Sequence, residues 1–349
     1  MRKWIALLVA MLALAGTVLV SPSAGGRPGF GWQLTPTGSS ARLRGVSAVS
    51  ANVAWASGSG GTVLRTVNRG ATWQQVSPPD TSGLQFRDIE AFDADHAVIL
   101  SIGVGGDSRV YVTADAGQHW ALGFLNDDPN AFYDCMSFFD RRHGLALSDP
   151  VGGQFRIIAT NDGGQSWQVV PAEMPAALPG EFAFAASGEC LVTAAGHHAW
   201  FASGGAAEAR VFRSGDRGET WEVSATPMLT GPSAGIFALA FRDPRHGLAV
   251  GGDFAVPDQA PDSLALTADG GSTWALAGDA PNEYRSGATW MTGRVAIVVG
   301  PTGSDVSLDG GGSWQGFDSG SFDTVDCAHS GACWASGEQG RVAYLVRPH

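Results

Sequence analysis

TNDGGQSW, residues 160–167, sets a hydroxyl, a carboxylate, two glycines, a second hydroxyl and a tryptophan in eight positions. Alone it reads as a site, with Asp162 a catalytic or metal-binding carboxylate. It does not stand alone. TVNRGATW (66–73), TADAGQHW (113–120), SGDRGETW (214–221), TADGGSTW (267–274) and SLDGGGSW (307–314) repeat the pattern, with tryptophans at 73, 120, 167, 221, 274 and 314. The spacings are 47, 47, 54, 53 and 40 residues. A period of that size predicts a propeller or another repeat array. A catalytic carboxylate is needed once. Here Asp115, Asp162, Asp216, Asp269 and Asp309 occupy one place, and Asn68 takes it in the first copy. Repetition marks a structural turn in which Asp and Ser/Thr bond backbone N–H groups and Gly supplies positive φ.

The segments around the octets supply strands. MSFFDRRHGLALSD, LAFRDPRHGLAVGG and IEAFDADHAVILS each read as strand, polar turn, strand. VYVT, RIIAT and RVFRS lead into octets, and WQVV and WEVS follow. Four strands per unit is a propeller blade. The last unit, FDTVDCAHSGACWASGEQGRVAYLV, has three strands and no octet. FGWQLTP (30–36) supplies the fourth, with Trp32 in the octet tryptophan's place, so the ring closes without an open edge. The expected fold is all-β: a seven-bladed β-propeller closed by the N-terminal strand in the last blade.

Arg2 and Lys3 followed by the apolar run Trp4–Val20 and small residues predict a secretory signal over 1–23, with a single propeller over 24–349. The expected location is exported, periplasmic or secreted, without stable membrane insertion once the signal is removed. Its removal takes the net charge from -12 to -14 and leaves no lysine. That balance argues against nucleic acid as partner. Cys327 and Cys333 flank a short turn and predict a hairpin staple, which an exported chain permits. Cys135 and Cys190, far apart in sequence, are expected as buried thiols. His96, His143 and His246 recur in hairpin turns and are expected as turn residues. No cofactor or metal motif is present.

The octet resembles the Asp box of BNR-repeat proteins, a motif shared by sialidases, other glycosidases and non-catalytic propellers. LRGVSAVSANVAWASGSGGTVLRTVNRGATW, HGLALSDPVGGQFRIIATNDGGQSW and VGPTGSDVSLDGGGSW are most similar to the photosystem II stability/assembly factor-like group. That resemblance covers about residues 30–347 and implies a scaffold that binds a protein or peptide. A sialidase-like glycoside hydrolase acting on a glycan is the alternative. The sialidase signature is incomplete: Arg44 in ARLRGV lacks the following proline of the Arg-Ile-Pro-type motif, and no Tyr–Glu nucleophile pair can be assigned.

In propellers the ligand face is formed by loops entering the innermost strands and joining second to third strands. Positions at the innermost-strand starts nominate Arg44, Arg87, Asp88, Tyr133, Asp134, Glu181, Tyr284, Arg285 and Asp323 as a ring around the channel mouth. Two long segments assigned to second-to-third-strand loops add His197, His198, Trp200 (196–210) and Asp253, Asp258, Asp262 (251–263). Function concentrates on such loops. The expected partner is a protein or peptide, with glycan the alternative, and the chain is expected to be a monomer.

Overall fold

A computed structural model describes residues 29–347 apart from Asn282. The signal over 1–23 lies outside the described residues. Among the described residues, no helix is long and apolar enough to cross a membrane.

The chain forms seven four-stranded antiparallel sheets. Six are built from consecutive strands. In blade one these are Leu43–Ala48, Ala54–Gly58, Thr62–Thr66 and Gln74–Gln75. The seventh joins Thr324–Cys327, Cys333–Ser336 and Val342–Val346 to the N-terminal strand Gly31–Leu34. Trp32 pairs with Leu345, so the first strand closes the last sheet. Its indole packs with Phe322, Val299 and Leu345 between blades six and seven, and its Nε1–H donates to Ser304 Oγ at 3.0 Å.

Burial falls from the axis outward. Ala54–Gly58 is buried along its whole length, whereas Gln74 and Gln75 are exposed. Inner strands are covered by neighbouring blades on both faces, so they read as apolar runs rather than alternation. The core lies between blades: Trp55 and Val63 of blade one pack on Phe86, Ile89 and Ile99 of blade two. Leu43, Val46 and Leu64 pack on Trp334 and Val342, across the ring closure.

Each octet forms the turn between third and fourth strands. In TNDGGQSW, Asp162 Oδ1 accepts from Thr160 Oγ1–H at 2.8 Å and from the Ser166 N–H at 3.0 Å, and Oδ2 accepts from Ser166 Oγ–H at 2.6 Å. Thr160 Oγ1 accepts the Gly164 N–H. Asp216, Asp269 and Asp309 repeat these bonds. In the second copy His119 replaces the hydroxyl and its Nδ1 lies 2.6 Å from Asp115 Oδ2. In the first copy Asn68 Oδ1 accepts the Thr72 N–H. The residue after the acid and the next glycine both have left-handed φ, as at Gly163 (79°) and Gly164 (88°). The six carboxylates and amides serve six separate turns.

The turn histidines are held alike: His96 Nδ1 contacts Asp93, His143 contacts Asp140 and His246 contacts Asp243 at 2.9–3.0 Å. Both pairs of cysteines are joined. Cys327–Cys333 closes its hairpin. Cys135 and Cys190, expected as thiols, form a second disulfide across 55 residues. Their inner strands, Tyr133–Phe138 and Leu191–Ala194, are neighbours around the axis, a proximity that sequence distance hides.

Candidate functional site

Each inner strand runs from the channel-mouth face to the octet face. First hairpin turns and octets therefore share one face, and the links into each blade share the other.

The mouth is plugged. Blade four begins late, at Leu191, and the residues before it cross the axis. Ala185 C=O accepts from Arg87 Nη1 of blade two, and Gly188 lies against the Asp88 carboxylate. A Cβ on Gly188 would come within 2.6 Å of Asp88 Oδ1, and its φ is +82°, so glycine is required there. Glu189 reaches the far wall: Oε2 accepts the Ala288 N–H of blade six, and Oε1 accepts from Thr324 Oγ1–H of blade seven at 2.8 Å. The Cys135–Cys190 disulfide ties the end of this plug to blade three.

Below the plug a cavity of about 600 Å³ is lined by all seven blades, with Asp88, Glu90, Glu189 and Asp326 in its wall. Asp88 Oδ2 accepts the Met136 N–H at 2.6 Å, and Asp326 accepts from the Ala48 and Cys327 N–H groups, both at 2.7 Å. Burial raises all four carboxyls above their usual range, Glu90 to about 8. Among the described residues, no cluster of three or more His, Cys, Asp or Glu could hold a metal ion.

Above the plug the mouth is cationic. Arg42 forks onto Asp323, with Nε at 2.8 Å from Oδ2 and Nη2 at 2.6 Å from Oδ1. Arg44 reaches the same carboxylate only at 4.0 Å, and its buried Nε has no hydrogen-bond partner. Arg87 completes the group. Burial, with the charges of Arg44 and Arg42, lowers the Arg87 pKa to about 10. Burial also lowers Arg44, opposed by Asp323. Arg42 and Arg44 thus face one carboxylate with Arg87 beside them, and Glu338 lies 3.5 Å from Arg42.

The structure brings Arg44, Arg87 and Asp323 together at the mouth, and Tyr284 beside them. The other nominated positions are buried or already paired. Tyr133 is fully buried between blades, against Phe124 at 5.2 Å, because strand alternation turns its side chain away from the axis. Asp134 occupies a bulge, is 1% exposed and has an unpaired Oδ2. Desolvation and the charge of Asp149 raise it strongly, and burial raises Asp149 to about 6. Glu181 is consumed by Arg210, which pairs with both carboxylate oxygens, and by Ser203 Oγ–H at 2.6 Å. Arg285 is buried on Asp305 and Glu283. Asp88 lies below the plug rather than at the mouth.

The segment 196–210 also needs correction. Its second strand is His198–Ala202, so residues 195–197 form the first hairpin turn. His197 and His198 stand on the octet face, with His198 stacked on Trp200. Trp200 is 1% exposed, stacks on Phe241 at 3.8 Å and donates to Gly270 C=O. Asp253 caps its own turn by accepting the Ala255 N–H at 2.8 Å, and Asp258 and Asp262 are exposed on the second-to-third-strand loop of blade five.

Sequence reasoning missed Arg42, the plug and the cavity carboxylates Glu90, Glu189 and Asp326. The signal for the plug was the 54-residue spacing from Trp167 to Trp221, where the extra residues include PGEFAFAASGE.

These features define a seven-bladed β-propeller with a cationic, plugged channel mouth. Its fold is that of several solved propellers. "YCF48 bound to D1 peptide" aligns with a TM-score of 0.66 at 15% identity, covering 91% of this chain and 97% of that one. YCF48 from Cyanidioschyzon merolae aligns at 0.64 and 15%, covering 90% and 98%. The GH74 xyloglucanase from Xanthomonas campestris aligns at 0.61 and 13%, covering 90% of this chain and 53% of the enzyme. No family model matches the sequence, and no curated protein matches it. The resemblance to photosystem II assembly factor-like propellers holds at the level of the fold.

Proposed function

We propose that this chain is an exported, non-catalytic scaffold that binds a protein or peptide segment on its channel-mouth face. The observation that carries this is the arginine group on the plug. In a chain of net charge -12, Arg42 and Arg44 face one carboxylate with Arg87 beside them, and Arg44 Nε is unpaired. Guanidiniums held this way recognise carboxylates, and a plugged mouth offers a platform rather than a pore. The YCF48 structure with a bound peptide supports a peptide as the kind of partner a propeller of this shape takes. A glycoside hydrolase needs an acid and a second carboxylate on either side of a sugar. The carboxylates nominated at the mouth are instead engaged or sealed: Asp323 by Arg42, Glu181 by Arg210, Asp134 by burial.

The test is affinity capture from an envelope extract with wild type, Arg44→Glu/Arg87→Glu, and Arg217→Glu on the octet face. A partner retained by wild type and Arg217→Glu but lost by the mouth variant is the expected result. A partner held equally by all three would place binding elsewhere. Turnover of chromogenic glycosides, abolished by Asp323→Asn, would replace the scaffold by the hydrolase.

A further inference from the structure

Beside the arginine group the mouth carries an aromatic flap. The loop after Gly247–Asp253 presents Phe254 and Val256 to solvent, 53% and 43% exposed. Phe254 is not loose. Its ring lies 6.5 Å from Phe184 of the plug and 6.1 Å from Phe237, near perpendicular to both. Phe184 stacks on Phe237 at 3.9 Å, and Phe237 meets Tyr284 edge-on at 4.7 Å. The Tyr284 N–H donates to Pro257 C=O, fixing the flap to the mouth. The Tyr284 hydroxyl sits in the field of Arg44, Asp323 and Arg42. Tyr284 is therefore the wall shared by a cationic patch and an exposed apolar one. Asp258 and Asp262 are also exposed on the flap.

Resting on the scaffold function proposed above, we infer that the mouth is a two-part site for an extended peptide carrying an acidic side chain and a large apolar one. The carboxylate meets Arg44 and Arg87, and the apolar side chain lies on Phe254 and Val256. Charge complementarity sets the polarity: the guanidiniums take the acid, and the flap that carries Phe254 offers exposed carboxylates, Asp258 and Asp262, and no cation to an acid. The ring centres of Tyr284, Phe237 and Phe254 step 4.7 and 6.1 Å, so with Tyr284 beside Arg44 about four or five residues of extended chain cover both parts. An exposed aromatic on a rigid aromatic floor is the kind of anchor that dominates interface energetics.

The test uses fluorescence anisotropy with fluorescein-labelled Gly-Ser peptides that contain one Asp and one Phe at graded separations. Peptides with Asp alone, Phe alone, or Asn and Phe serve as controls. Wild type should bind tightest near the four-to-five-residue separation, and each control should bind at least tenfold more weakly. Phe254→Ser, which alters an exposed side chain, should abolish the spacing dependence while leaving the melting temperature unchanged. Equal binding of Asp-only and Asp–Phe peptides, or a spacing profile unmoved by Phe254→Ser, would overturn the two-part site. In that case, loss of binding in Arg44→Glu would leave the mouth scaffold standing. No binding of any peptide by wild type also overturns the two-part site, and leaves the capture experiment to judge the scaffold.

Discussion

Replacing both Cys135 and Cys190 by alanine removes the tether that holds the plug to blade three. Both sulfurs are fully buried, and the bridge closes a loop of 55 residues. Loop-closure entropy for that length is about 14 cal/mol/K, or about 4 kcal/mol at 25 °C. Cys327–Cys333 spans only 6 residues, for which the same relation gives about 2 kcal/mol. The long bridge should therefore cost about twice the short one when each is removed as an Ala/Ala pair. Guanidinium unfolding of the oxidised protein, followed by tryptophan fluorescence, measures both losses from midpoint and slope together, since the uncrosslinked unfolded chain is less compact. The plug should suffer first: Ala183–Glu189 amides should exchange faster in Cys135→Ala/Cys190→Ala while octet amides keep their protection. Equal losses for the two pairs, or a loss below about 1 kcal/mol for the long one, would refute the role assigned to the 55-residue bridge.

Three further outcomes follow from the turns, the cavity and the closure. Ala116 occupies the left-handed position after the octet acid with φ 65°, where three other copies have Gly163, Gly270 and Gly310. Ala116→Gly should stabilise by up to about 1 kcal/mol in denaturant unfolding, since relief of the left-handed strain exceeds the added unfolded-chain freedom. Burial raises the Glu90 carboxyl to about 8, so the folded state holds a proton that the unfolded chain releases near its ordinary value of 4.5. Stability from this group is present below that value and is lost as pH rises toward 8. Glu90→Gln should thus match wild type at pH 4 and exceed it by roughly 1–3 kcal/mol at pH 9. Trp32→Ala should cost roughly 2–4 kcal/mol, because it empties the space among Phe322, Val299 and Leu345 at the ring closure.

Much of the ring was legible because its signals are local. The octet carries its own hydrogen bonds within eight residues, so Asp162, Asp216, Asp269 and Asp309 could be assigned to turns by repetition alone. The closure was legible because Trp32 repeats an octet position that the last unit lacks. The site was harder. Arg44, Arg87 and Asp323 could be placed at the mouth by counting to the start of each inner strand. Counting put Asp134 at the same bulge position as Arg44 and Arg87 but could not show that burial seals its carboxyl, or that Tyr133 beside it turns between the blades. It fails at 196–210, where the first hairpin turn and the second strand were assigned to a second-to-third-strand loop, which put the histidines on the opposite face. The pairing of Glu181 with Arg210 and the bridging of the channel by Glu189 join residues from 29 to 136 apart, and no local pattern records them.

Hydrogen–deuterium exchange of the protein with and without a saturating Asp–Phe peptide, or a partner recovered by capture, locates binding most directly. Protection confined to residues 42–44, 182–189 and 253–262 is the expected footprint. Protection that instead falls on the tryptophan-ended turns at 160–167 and 214–221, with the plug unchanged, would contradict a functional mouth and move the site to the face here assigned to structure alone.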